Sequence, residues 1–316
     1  MQLQFELWQE CNSRCKYCYL GTGNRHTNTE LKLKSLQNAY DKISDLSLYP
    51  KYDTISYLGG EFFQGQLDTQ EVKASFMKLM DKTAWLLEHD YIKEVWIYAT
   101  MTIGDQKDLY ETLDKFNIGK GRFWILTSYD TIGRFHNQKM FETWDYHMKN
   151  IHEKYPNFQI NITSIITGDL IDKYLSGELS FKKMTETYHN AWFFKQCGIP
   201  DPFNKKTMNE YLPNFLPTRK KMIQFLIKFK NEESPVMWDK LFNIKYRADT
   251  LYRNFNDEDH QMVLNVRNKK SKVETNIEQE AITNKCGHLM NYATYLDCDG
   301  CVICDREMVN EMDADI

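Results

Sequence analysis

Three cysteines near the start of the chain, Cys11, Cys15 and Cys18, share the run Trp-Gln-Glu-Cys-Asn-Ser-Arg-Cys-Lys-Tyr-Cys-Tyr. Their spacing is C-x3-C-x2-C, just after a strand-like alternation of Leu3, Phe5 and Leu7. Three thiolates on one loop suit three irons of a 4Fe-4S cluster, because cysteine runs of this kind ligate iron–sulfur clusters. The fourth iron then lacks a protein ligand and is open to a small molecule. Zinc is the rival for any cysteine group. Structural zinc takes four ligands, normally as separated pairs, and no fourth ligand lies near this loop in the sequence.

A second group, Cys286, Cys298, Cys301 and Cys304, has the spacing C-x11-C-x2-C-x2-C. Residues 292–296, then Asp299-Gly300, then Val302-Ile303 read as a β-hairpin with an Asp-Gly turn. Such a hairpin brings Cys286 toward the later cysteines. Four thiolates suffice for a second 4Fe-4S cluster or for one zinc ion, and the crowded C-x2-C-x2-C spacing leans to iron–sulfur. Cys197 stands apart and reads as a core or loop thiol.

These loops need a frame. Apolar residues recur at helical period at Leu36, Ala39, Tyr40, Ile43 and Leu46, then at Val72, Phe76, Leu79, Met80 and Leu87. Leu109, Leu113 and Phe116 mark a third helix, and Met140, Trp144, Met148 and Ile151 a fourth. Between them lie strand-like stretches at 54–58, 95–99, 123–127 and 158–167, with a sixth at 191–194. Strands alternating with helices predict an α/β fold of parallel strands joined by right-handed crossovers. Ligands of such sheets bind at the carboxyl ends of the strands. Gly59-Gly60-Glu61, Thr100, Ser128 and the first cysteine loop all fall there. Glycines let backbone approach closely, and a glutamate can accept charge-assisted hydrogen bonds from an ammonium group.

Taken together, the cysteine trio with Tyr17 before its third member, and Gly59-Gly60-Glu61 ending the second strand, resemble the radical SAM enzymes. That resemblance implies a partial (β/α)6 barrel over residues 1–200. It implies an open iron that binds S-adenosyl-L-methionine, and Gly59, Gly60 and Glu61 holding the cofactor's amino group. Thr-Ser-Tyr-Asp at 127–130 is similar to the family's Ser-x-Asp run, which makes Ser128 and Asp130 candidate cofactor contacts. Thr100 and Asn161 join them from strands three and five. The cofactor carries the chemistry in this family: an electron from the reduced cluster cleaves the sulfonium to a 5′-deoxyadenosyl radical, which abstracts hydrogen from a substrate C–H. An electron donor such as flavodoxin or ferredoxin is implied. Residues 281–316 resemble the family's SPASM/twitch extensions. Their four cysteines are enough for one auxiliary cluster, a twitch-like module joined through a helical connecting region at 201–280. A peptide or protein substrate is expected on that ground. A nucleobase, nucleotide or hypermodified DNA is the alternative, and a non-catalytic iron–sulfur sensor is the rival from another class.

The remaining bounds come from composition. The chain has 316 residues, 42% hydrophobic, with formal net charge −4, so no overall field draws it to nucleic acid. Seven of its eight cysteines fall in the two groups, which favours metal binding over disulfides. With no apolar stretch of about 18 residues and no signal pattern, a cytoplasmic protein with no membrane contact is expected. A basic, aromatic stretch holds Lys205, Lys206, Arg219, Lys220, Lys221, Lys228 and Lys230. It reads as an amphipathic helix from Thr218 to about Phe229 with a solvated face, a polyanion patch being the alternative.

Overall fold

A computed structural model describes residues 1–13, 15, 27–49 and 51–190, the last without the side chain at 165. It further describes the strand backbones at 191–196, 282–283, 289–290, 293–296 and 302–303, and the helical positions Lys221, Gln224, Phe225, Lys228, Phe229 and Glu232. The strands are β1 (Gln2–Glu6), β2 (Thr54–Leu58), β3 (Glu94–Tyr98), β4 (Arg122–Tyr129), β5 (Gln159–Ile166) and β6 (Asn190–Gln196). The helices are α1 (Thr29–Ser44), α2 (Gln70–Glu88), α3 (Lys107–Phe116), α4 (Gln138–Lys154), α5 (Gly168–Ser176) and α6 (Phe181–Tyr188). Four short strands follow: β7 (Ile282–Thr283), β8 (Leu289–Met290), β9 (Ala293–Leu296) and β10 (Val302–Ile303).

The chain is an α/β protein. Strands β1 to β6 pair in parallel and in sequence order within one sheet, β10-β9-β1-β2-β3-β4-β5-β6. Right-handed crossovers between strands laid down without reversal put the connecting helices on one face. The contacts between helices agree. Lys78 of α2 lies over the Tyr40 ring of α1 at 4.2 Å. Lys73 of α2 pairs with Asp108 of α3 at 2.8 Å, Lys154 of α4 with Asp114 of α3 at 3.0 Å, and Tyr188 of α6 donates to Asp145 of α4 at 2.6 Å.

Helix starts follow local chemistry. Asn28, Thr69, Asn137, Thr167 and Ser180 each accept a hydrogen bond from a first-turn backbone N–H, satisfying a donor that the helix itself leaves unpaired. Helix α6 is absent from the sequence expectation. Its signal was short, a Ser180 cap before Phe181 and Tyr188, the buried positions of this helix.

The alternation along each strand sorts the two faces of the sheet. Leu3, Phe5, Ile55, Tyr57, Val95, Ile97, Phe123, Ile125, Ile160 and Ile162 are all buried in the apolar core. On this face the Phe5 and Tyr57 rings stack at 5.6 Å, and Phe123 stacks on Phe116 of α3 at 4.5 Å. The opposite face is mostly polar and aromatic. One row across it, fixed by strand register, is Gln4, Ser56, Trp96, Trp124 and Gln159. The row above it includes Tyr98, Leu126 and Asn161.

Strand β9 pairs in parallel with β1, and β10 pairs antiparallel with β9. The expected hairpin therefore forms and extends the main sheet. Its register sets Val302 opposite Leu296 and Ile303 opposite Tyr295; Asp299-Gly300 lies outside the described residues. The described positions between 221 and 232 are helical, with Phe225 and Phe229 fully buried against Tyr174. Among the described residues no helix is long and apolar enough to cross a membrane.

Candidate cofactor site

The first cysteine loop leaves the carboxyl end of β1 and lies against the segment that leaves β2. The Gly60 N–H donates to the Trp8 carbonyl at 2.9 Å, and the Glu61 N–H donates to the Glu10 carbonyl at 2.9 Å. Two side chains add to the clasp: the Trp8 indole N–H donates to the Glu61 carbonyl at 2.8 Å, and the Asn12 amide to the Gln64 carbonyl at 2.7 Å. Segments about fifty residues apart in sequence thus become one double-layered loop.

The two glycines are required by this contact. A Cβ on Gly60 would fall 2.1 Å from the Glu10 carbonyl oxygen and 2.6 Å from that of Gln9; one on Gly59 would fall 2.4 Å from the Trp8 oxygen. The backbone whose close approach they permit is that of the cysteine loop itself.

Glu61 is 2% exposed. Its Oε1 accepts from the backbone N–H groups of Phe62 and Phe63 at 2.9 and 3.0 Å. Its Oε2 accepts from the Thr100 N–H at 2.8 Å and from the Thr100 hydroxyl. An ionised carboxylate has about four acceptor positions, and protein donors fill them here. Glu61 therefore braces the end of β2 against the end of β3. Thr100 continues the network, accepting from the Gln64 amide, which also donates to Thr102 Oγ1 at 3.2 Å. Between the two threonines Met101 is buried with φ +56°, a left-handed conformation that costs a non-glycine residue energy and recurs at functional sites.

Cys11 is half-buried, with its Sγ 3.7 Å from the Ser13 carbonyl, and Cys15 is buried. Tyr17, Cys18, Cys197, Cys286, Cys298, Cys301 and Cys304 lie outside the described residues. Among the described residues no three histidine, cysteine, aspartate or glutamate side chains are grouped to hold a metal. Two of the three expected cluster ligands are thus on one loop at a strand end, and they are thiols, the donor type that iron–sulfur clusters take.

The other expected contacts divide. Ser128 is half-buried on the polar face, in register with Thr163 of β5. Asn161 is 0% exposed, and among the described residues neither atom of its amide has a hydrogen-bond partner; Ser56 Oγ is in the same position. Buried polar groups are nearly always paired, so these stand out among the described residues. Tyr98 shares that face, and burial pushes its phenol up to about 12, so it stays a protonated hydroxyl at neutral pH. Asp130 is fully buried. Its Oδ1 accepts from the N–H groups of Ile132, Gly133 and Arg134 at 3.2, 2.5 and 2.8 Å, so it shapes the loop after β4.

The basic stretch also resolves in part. Lys228 donates to the Tyr174 and Leu175 carbonyls at 3.0 and 3.1 Å, in the last turn of α5, where exposed carbonyls and the helix dipole favour a cation. Lys221 pairs with Asp172 at 2.5 Å. These two charges hold the helix to α5.

Sequence reading passed over Lys32, Gln64 and Gln66. Lys32 had a usable signal: it stands on the apolar stripe of α1 with Leu36, Ala39 and Ile43, all buried. No protein-family model matches the chain, and no curated protein matches it at a significant level.

Proposed function

We propose that the chain is a radical SAM enzyme whose sheet is the wall of a partial (β/α)6 barrel. Cys11, Cys15 and Cys18 would hold a 4Fe-4S cluster with one open iron for S-adenosyl-L-methionine. The observation that carries this reading is the pair of backbone bonds from Gly60 and Glu61 to Trp8 and Glu10. They lay the Gly-Gly-Glu segment against the stretch that enters the cysteine loop, at the carboxyl ends of in-order parallel strands. When bound, the cluster and the sulfonium supply one-electron cleavage and hydrogen abstraction.

The residues of the chain position and shield. Glu61, with its acceptor positions filled, holds the ends of β2 and β3 at fixed separation, and the half-buried Gly59-Gly60 backbone offers the surface for a cofactor amino group. Ser128, Thr163 and the unpaired amide of Asn161 supply hydrogen bonds on the polar face. Trp96 and Trp124, with ring centroids 5.7 Å apart, give that face an apolar floor that excludes water. Cys286, Cys298, Cys301 and Cys304 would hold one auxiliary cluster, with an electron-relay or structural role. The substrate is proposed to be a peptide or protein. The basic stretch was the local support for a nucleic-acid substrate, and the structural duties of Lys221 and Lys228 weaken it.

Anaerobic incubation with dithionite and S-adenosylmethionine should yield 5′-deoxyadenosine. No product over many hours favours the sensor. About eight irons and eight sulfides per chain are expected for two clusters; about four irons and one zinc would remove the auxiliary cluster.

A further inference from the structure

Lys32 of α1 is 0% exposed, a state that a lysine reaches only when its charge is matched. Its ammonium has three N–H donors, and three oxygens surround it. Glu10 Oε2 lies at 2.7 Å, the Gln66 carbonyl at 2.7 Å and Asp68 Oδ1 at 3.2 Å. The Trp8 ring centroid is 5.8 Å away. Trp8 and Glu10 belong to the stretch that runs into Cys11. Gln66 and Asp68 belong to the loop that follows Gly59-Gly60-Glu61. One buried cation therefore joins both layers of the clasp, from a helix that belongs to neither.

We propose that Lys32 is a positioning residue for the cofactor site, an inference that rests on the radical SAM reading for what the site binds. Its ammonium fixes the entry to Cys11 relative to the Gly-Gly-Glu backbone. It also neutralises two carboxylates, Glu10 and Asp68, that it draws to one point. Without the charge these carboxylates repel each other and the two layers part. The thiol of Cys11 then loses its set position, although Lys32 touches no cofactor atom. Arginine keeps the charge but carries its donors in a rigid plane, so it restores the clamp only in part.

The test uses the full chain in two arms. In the first, the metal-free protein is alkylated anaerobically with iodoacetamide, and the rate at Cys11 is followed by peptide mass spectrometry. Lys32→Met should react several-fold faster than the parent, with Lys32→Arg between them. Adding Glu10→Gln and Asp68→Asn to Lys32→Met should slow the reaction again, since the repulsion is gone. Equal rates in the parent and Lys32→Met overturn the proposal. Should Lys32→Met not fold by circular dichroism, Lys32→Arg carries the same comparison against the parent, with a rate above it expected and an equal rate overturning the proposal.

In the second arm, the reconstituted, reduced protein is titrated with S-adenosylmethionine and the electron paramagnetic resonance signal is read. Half-saturation should shift about tenfold upward in Lys32→Met at equal iron content, the scale on which outer-sphere partners act on bound groups. An unchanged titration overturns the proposal. A parent protein that gives no response sinks the radical SAM reading, and the alkylation arm still decides whether the clamp exists.

Discussion

On the helix-covered face of the sheet, polar atoms are buried in pairs; on the opposite face Asn161, Ser56 and the Trp124 indole nitrogen are buried with no partner among the described residues. Tyr57 and Thr83 share a hydrogen bond at 2.5 Å between β2 and α2, and the Trp144 indole donates to Thr127 at 3.1 Å between α4 and β4. Across the sheet, Asn161 and Ser56 are equally buried and have no partner for the amide or the hydroxyl. A buried polar group costs little when paired and about 1–3 kcal/mol when not. The first face is therefore finished by folding. The second carries that cost among the described residues.

The comparison can be broken most forcefully at Trp144. It is fully buried and packs on Tyr129, Phe135, Phe141 and Tyr188, with centroids 5.1–6.1 Å away. Trp144→Ala should cost about 3–5 kcal/mol through lost contacts and the cavity left behind, read as a drop in the urea midpoint. A loss under about 1 kcal/mol would mean that this face is not the tightly packed one.

Next in size is Gly60→Ala. Its Cβ would collide with the Glu10 and Gln9 carbonyls, so the cysteine loop must lift. The expected cost is about 1–3 kcal/mol, together with loss of iron uptake at the first cluster while the second group keeps its iron. Normal iron content at both would show that the clasp does not hold the ligands.

Asn161→Leu separates the two faces in sign. It removes an unpaired buried amide at similar volume, so it should raise stability by about 1 kcal/mol while weakening the response to S-adenosylmethionine. Lower stability would mean that the amide has a structural duty in the empty protein.

The smallest effect concerns protons on the finished face. Burial holds His147 below its usual value near 6.5. Its Nδ1 accepts from the Tyr110 hydroxyl at 2.9 Å, Tyr110 in turn accepts from the Asn150 amide at 2.7 Å, and Nε2 donates to the Gly104 carbonyl at 3.3 Å. That circuit fits a neutral ring. As pH falls through about 6.5 the unfolded chain takes up the proton first, so stability decreases, and it is fully present above that pH. His147→Gln should flatten the fall in urea midpoint between about pH 7 and pH 5. An equal slope in both proteins would place the titrating group elsewhere.

Much of this was legible in the chain. The period of two in Leu3, Phe5 and Leu7 and the helical spacing of Val72, Phe76, Leu79 and Met80 report burial directly, and strands and helices stand where those patterns put them. The strand-end location of Gly59-Gly60-Glu61 and Thr100 followed from the same alternation. The duties of those residues did not. A glycine pair reads alike whatever needs the room, and the Trp8 and Glu10 carbonyls show that a neighbouring backbone takes the Cβ positions here. Glu61 and Asp130 present the same carboxylate to a sequence reader, yet one joins two strand ends and the other gathers three N–H groups of its own loop. The place of Lys32 on the apolar stripe of its helix signals burial, but its partners come from segments distant in sequence and were not legible.

Strand β9 lies along the outer side of β1, from Gln2 beside Ala293 to Phe5 beside Leu296. A parallel sheet that stopped at β1 would present a row of unmatched amides and carbonyls to any passing polypeptide, an invitation to aggregate. The late hairpin works as a selvedge that keeps the fabric from joining its neighbours. A truncated molecule lacking residues 282–316 would reveal that service by turning cloudy before it lost its helices.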